Sequence, residues 1–214
     1  MTELFDRNCR RCPRLAQFLD DVREQHPDYY CRPVPSFGDR AARLLIVGLA
    51  PGMHGANATG RPFTGDYAGV LLYQTLFDFG FASQAEATAR DDGLELHDCR
   101  ITNAVRCLPP ENKPVGAEIN TCNDYLAQDI AQVPEDGVVI ALGGIAHRAV
   151  LRSAGLKLSS VEFTHGGETR LPGGPWLISS YHCSRYNTQT RRLTPAMFAA
   201  VFAQARNRLE QRAA

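Results

Sequence analysis

The sequence predicts a three-layer α/β/α domain built on a four-stranded parallel sheet. Three observations point there. Four short apolar runs recur along the chain, segments with helical signals separate them, and 214 residues suit one such domain with little room for a second. A single domain over residues 1–214 is therefore expected, with residues 1–40 as an irregular N-terminal arm.

The arm holds Cys9 and Cys12, a helix-like stretch near residues 15–24 and a Pro/Gly-rich connector over 32–38. Residues 42–48 (ARLLIVG) read as a buried strand, a short run rich in branched apolar residues. A glycine-rich loop follows over 49–66. Apolar residues then recur at helical spacing over 70–81. Residues 100–105 (RITNAV) are the second strand, 108–118 a polar loop, and a helix runs from there to about Val133. Residues 137–142 (GVVIAL) form the third strand. Gly143-Gly144 makes a tight turn, and a helix starts at Ile145. Residues 159–175 read as a small hairpin, with glycine pairs as turn signals. Residues 176–181 (WLISSY) are the fourth strand. Thr194-Pro195 opens the last helix, Thr as N-cap and Pro at the first helical position.

In such a sheet, ligands bind beyond the carboxyl ends of the strands. Three loops leave strand ends there: 49–66, the stretch from Arg106 onward, and 182–187. Formal net charge is zero, so charge for a polyanionic partner must be local. No apolar run is long enough to span a membrane, and the charged N-terminus lacks a signal-peptide core. A cytoplasmic or nucleoid location, no membrane partner and a monomeric chain are expected. The long loop lacks both a phosphate-loop lysine and a dinucleotide fingerprint, which argues against ATP and NAD.

The cysteine count is seven, an odd number that argues against a disulfide framework. Cys9-x-x-Cys12, with Cys107 and Cys122, makes two pairs that together favour a metal centre. Soft thiolates suit zinc or an iron–sulfur cluster, and spacing does not choose between them. Cys31 and Cys99 read as structural.

The loop 49–66 contains Phe63, an aromatic able to stack on a planar base, with Asn57, His54 and Asp66 as polar side chains within reach. Asn103, at the end of the second strand, carries both a donor and an acceptor and can match an imide edge. His182 follows the fourth strand directly. Beside it Ser184, Asn187, Thr188 and Thr190 are phosphate-type hydrogen-bonders, Arg185, Arg191 and Arg192 supply positive charge, and Tyr186 is an aromatic wedge. Taken singly, each of these residues has a plain structural explanation. It is their occurrence at three strand ends of one sheet that suggests a site.

Four stretches resemble the uracil-DNA glycosylase superfamily, and most closely its family 5 (type B) branch: CRRCPRL, LLIVGLAPGMHGANATGRPFTGD, TNAVRCLPPENKPVGAEINTCNDYL and SYHCSRYNTQTRRLTPAMF. The likeness runs from Cys9 to the final helix. It implies a four-stranded parallel sheet between helices. It also implies a structural [4Fe–4S] cluster on Cys9, Cys12, Cys107 and Cys122. Phe63 is placed on the face of a flipped base and Asn103 on its edge, with Ala50 and Gly52 in the same base-binding set. His182 comes near the base carbonyl that gains charge as the glycosidic bond breaks. Ala50 stands where other branches carry a water-orienting acidic or amide residue. That role passes to Asn57 first and Asp66 second. Ser184, Arg185, Tyr186, Asn187 and Arg191 are the implied DNA contacts. The last motif reads His182-Cys183-Ser184 where related branches have His-Pro-Ser.

The implied activity is removal of a deaminated base from DNA, leaving an abasic site. Uracil comes first, with hypoxanthine, xanthine and etheno-cytosine as further substrates. Two other readings compete: a hydrolase of free nucleosides or nucleotides, and a DNA-binding module with a structural metal. The first needs a phosphate loop or a carboxylate pair, and neither is in the sequence. The second leaves Phe63, Asn103 and His182 unexplained.

Overall fold

The computed structural model describes residues 5–211. The first four residues of the arm and the last three of the chain, which the single-domain expectation includes, lie outside the described residues. The elements in chain order are α1 (Pro13–Gln25), β1 (Phe37–Gly38), β2 (Leu44–Gly48), α2 (Ala56–Thr59), α3 (Tyr67–Asp78), β3 (Cys99–Asn103), α4 (Gly116–Ile130), β4 (Val138–Leu142), α5 (Gly144–Ser153), β5 (Glu168–Arg170), β6 (Trp176–Ser180), α6 (Arg185–Gln189) and α7 (Pro195–Glu210).

The sheet has six strands in the order β1-β3-β2-β4-β6-β5. Its centre, β3-β2-β4-β6, is the expected parallel set of four. Two short antiparallel strands cap the edges. β1 pairs with β3, Phe37 opposite Ile101, within what the sequence offered only as a connector. β5 pairs with β6, so the hairpin near residues 159–175 is in fact made by 168–170 with the fourth strand. Its turn closes through Leu171 N–H to Pro175 O at 3.0 Å. Both edge strands are too short to carry a period-2 signal, which is why pattern alone missed them.

β2 and β4 are buried along their whole length, because helices cover both faces. Alternate residues divide between two cores. Leu44, Ile46, Ile140 and Ile178 pack with Leu72 and Leu76 of α3 and Phe198 and Phe202 of α7. Leu45, Val47, Val139 and Leu177 pack with Leu126 of α4 and Val150 of α5. This gives the expected three layers.

Local chemistry sets the helix starts. The Asp66 carboxylate accepts the Gly69 N–H at 2.8 Å, so α3 begins at Tyr67, a turn earlier than the apolar spacing suggests. Thr194 caps α7 by accepting the Met197 N–H at 3.2 Å, with Pro195 first in the helix. Gly48 pairs with Asn103, and Leu142 with Ser180. The carboxyl ends of the four parallel strands therefore finish side by side.

Candidate active site and cysteine pocket

Beyond those strand ends lies a cavity of about 540 Å³, within the range of roughly 300–1,000 Å³ usual for small-molecule sites. All four parallel strands feed it. The β2 loop contributes Ala50, Gly52, Phe63 and Asp66, β3 ends in Asn103, β4 leads to Gly143, Gly144 and Ile145, and β6 leads to Tyr181, His182, Ser184, Arg185, Asn187 and Arg192. Phe63, Asn103 and His182, from three separate loops, thus meet in one space.

Phe63 adopts φ +55, a left-handed backbone uncommon for an aromatic residue. The surroundings force it. Gly69 approaches so closely that a Cβ there would stand 1.9 Å from the Phe63 carbonyl oxygen. On the N-terminal side, Arg61 grips Asp92 through two hydrogen bonds of 2.8 and 2.6 Å, and its Nε donates to Thr64 Oγ1 at 2.7 Å. Tyr73 OH donates to Pro62 O at 2.8 Å. The Phe63 and His182 rings lie with centroids 6.1 Å apart and planes 27° from parallel.

Asn103 is only 3 % exposed, and its Oδ1 is buried without a hydrogen-bond partner. An unpaired buried acceptor costs about 1–3 kcal/mol unless a ligand satisfies it. Gly48 makes room for it: a Cβ at that position would stand 2.3 Å from Asn103 Oδ1 and 2.6 Å from the Phe63 ring.

Asp66 is the sole carboxylate among the lining residues. Burial raises its pKa, and hydrogen bonds from the Gly69 and Ala68 N–H groups pull the other way. One oxygen, Oδ1, serves as the α3 cap. The other lies toward Gly52, 3.6 Å from where a Cβ would be.

His182 is partly accessible through the cavity, and burial pushes its imidazole down to about 4. At neutral pH it is an uncharged ring with one N–H to give. Its loop is held from behind. Asn187 Nδ2 donates to the His182 carbonyl at 2.8 Å, and Ser184 caps α6. Cys183, in the place of a proline, points into the core fully buried, which fixes the loop by packing instead of by a ring.

Three expected site residues lie elsewhere. Asn57 does not line the cavity: it is fully buried, its Nδ2 directed at Cys31 Sγ (3.5 Å). The expectation that it comes first in holding water therefore meets a residue turned inward within α2, although its Oδ1, like that of Asn103, is a buried acceptor without a hydrogen-bond partner. Asp66, ranked second, is at the cavity. Tyr186 and Arg191 also fall outside the lining, and Tyr186 is 70 % exposed. Other lining residues escaped sequence reasoning. Tyr67, Phe163 and Tyr181 line the cavity beside the expected Arg192, whose guanidinium lies 4.7 Å from the Tyr181 ring centre. The Gly143-Gly144 turn was visible and followed a parallel strand, so the strand-end rule was signal enough. Phe163 had none, lying in an irregular segment.

The four cysteines line a second, smaller pocket. Cys9 and Cys12 come from the arm, Cys107 from the stretch after β3, and Cys122 from α4. No imidazole or carboxylate shares that lining. Burial lifts the Cys107 thiol far above its ordinary range, and repulsion from Cys122, Cys9 and Cys12 adds to it. Burial lifts Cys122 to about 11, against the pull of Arg106. The Arg106 backbone N–H donates to Cys122 Sγ at 3.3 Å. The Arg106 guanidinium is itself buried against Asp129. Arg14 binds Glu118 at 2.7 and 2.8 Å and Arg11 binds Asp124 at 2.6 Å, so ion pairs sew the arm to α4. Among the described residues, no group of three or more His, Cys, Asp or Glu side chains is arranged to hold a single metal ion. No described helix is long and apolar enough to cross a membrane.

Residues 35–206 match the Uracil DNA glycosylase superfamily. Relatives that bear the name type-5 uracil-DNA glycosylase include the following three. That of Thermus thermophilus is 46 % identical, over 92 % of both chains. That of Pyrobaculum aerophilum is 41 % identical over 92 % of this chain and 88 % of its own. That of Mycobacterium leprae is 43 % identical over 92 % and 90 %. With four strand-end loops meeting in one pocket and this likeness over most of its length, the chain belongs to the uracil-DNA glycosylase superfamily.

Proposed function

We propose that the chain excises uracil from DNA, taking the lesion nucleotide out of the base stack and into the cavity. The observation that carries this reading is the meeting of Phe63, Asn103, His182 and Asp66 around one space. A base stacked within a duplex cannot enter such a cavity, so extrusion must precede chemistry. Phe63 stacks on the base and Asn103 pairs with its edge, where the unpartnered Oδ1 accepts the imide N–H.

The bond from C1′ to the base nitrogen then breaks, and its electron pair leaves with the base. Neutral His182 donates its N–H to the base oxygen that gains the charge. Such a donor stabilises the transition state more than the ground state. Asp66 orients a water whose oxygen bonds to C1′, and it receives the proton released. Ser184, Arg185, Asn187 and Arg192 hold the DNA backbone at the mouth. Tyr186, exposed and clear of the cavity, fills the gap left in the stack. The cavity volume also suits a purine, so hypoxanthine, xanthine and etheno-cytosine are proposed as further substrates.

Cys9, Cys12, Cys107 and Cys122 would hold a [4Fe–4S] cluster. Four thiols around one pocket, with no imidazole or carboxylate in its lining, suit a cluster whose irons each take one thiolate. Bound there, it supplies a covalent tie between the arm, the β3 loop and α4, and no chemistry at the base.

The test is excision. Oligonucleotides with uracil or thymine at one position are incubated with the protein and then with alkali. Strand cleavage at uracil alone is expected. Binding without cleavage would point instead to a non-catalytic DNA-binding module.

A further inference from the structure

A third cavity, of about 290 Å³, shares no lining residue with the lesion cavity and is strongly basic. Arg7, Arg10, Arg23 and Arg32 line it, and Asp20 is its one carboxylate. Arg10, Arg23 and Arg32 face the single carboxylate of Asp20, so this lining is net positive on a chain whose formal net charge is zero. Asp20 is shared: Arg10 takes both its oxygens, at 3.2 and 2.6 Å, and Arg23 reaches Oδ1 at 3.1 Å. Each guanidinium carries five N–H donors in a fork that fits phosphate, so both keep donors free. Arg32 is exposed and makes no ion pair with any described residue.

The position of this groove is as telling as its charge. Segment 30–31 runs along α2, Tyr30 N–H to Ala58 O at 3.0 Å and Cys31 N–H to Asn57 O at 3.1 Å. Ala56 of the same helix lines the lesion cavity. The short helix α2 thus links the walls of the two spaces. The groove also shares Cys9, Ala16 and Pro33 with the cysteine pocket, so the arm that brings two thiols to that pocket also builds the groove.

We propose that this groove binds the phosphodiester backbone of DNA flanking the lesion, through Arg7, Arg10, Arg23 and Arg32. The inference rests on the DNA-repair reading above. It makes the cysteine-bearing arm a DNA-contacting element, beyond its part as a structural tie.

Salt dependence decides it. The probes are two duplexes carrying a 2′-fluorinated deoxyuridine that resists cleavage. One reaches well past the lesion on both sides, and the other is the shortest duplex that stays paired around it. Affinity of the full-length, as-purified protein is measured between about 50 and 200 mM salt. On the long duplex, Arg32→Ala should lower the slope of log affinity on log salt by about one, and Arg7→Ala with Arg32→Ala by about two. Arg32→Lys should keep the wild-type slope, which separates charge from folding. On the short duplex every slope should match the wild type. An unchanged slope on the long duplex overturns the proposal, as does an equal fall on the short one. Uracil excision by the wild type is scored alongside. Its failure contradicts the glycosylase reading, while the slopes still decide the groove.

Discussion

Replacing Arg61 by Met tests how Phe63 is held. Arg61 and Asp92 are 4 % and 10 % exposed and form a bidentate pair. Methionine keeps the apolar stem and removes the charge, leaving Asp92 buried and unpaired. Breaking one side of a buried pair typically costs about 3–5 kcal/mol. Asp92 keeps three backbone donors, Thr88, Ala89 and Leu94, so the low end, about 3 kcal/mol, is expected here. The Arg61 guanidinium holds the Asp92 carboxyl well below its usual range. A depressed carboxylate stabilises the fold above its unfolded pKa, about 3.9, and loses that contribution as pH falls through the folded value. The gap between wild type and Arg61→Met should therefore be full at pH 7 and shrink below about pH 4. Urea unfolding at both pH values measures it. A variant within about 0.5 kcal/mol of wild type at pH 7 would refute the reasoning.

Other outcomes follow from the same geometry. Gly48→Ala should cost about 1–3 kcal/mol from overpacking, and it should depress excision more than stability, because its Cβ meets both Asn103 and Phe63. In kcat/KM against pH, His182 should give no inflection near 6.5, being neutral down to about 4. The acid limb should instead sit above the ordinary carboxylate range and vanish in Asp66→Asn. Stability should meanwhile decline as pH falls from about 6.5 toward 4, because the unfolded chain protonates His182 first. Cys107→Ser should abolish visible absorption and iron content in the purified protein. Stoichiometric zinc without iron in the wild type would contradict the cluster.

The central sheet was legible because β2 and β4 are buried on both faces and read as unbroken apolar runs. β1 and β5 were not, because two or three residues carry no period. The cavity's Phe63, Asn103 and His182 were legible from strand ends, since a parallel sheet sends all those loops to one side. The burial of Asn57 was not legible, because a polar residue in a glycine-rich loop looks available. Only the fold shows that α2 turns it inward against Cys31. Phe163 and Tyr181 arrive by packing between segments distant in sequence, which no local pattern reports. The arm's link to α4 through Arg11 and Arg14 is likewise a long-range ion-pair match.

The most direct measurement compares His182→Ala with wild type on a uracil-containing oligonucleotide, scoring single-turnover excision and equilibrium binding together. The account predicts a loss of about 10²–10³ in rate, with affinity little changed, because the imidazole acts where charge appears on the leaving base. Equal loss of rate and affinity, or no loss of rate, would contradict it.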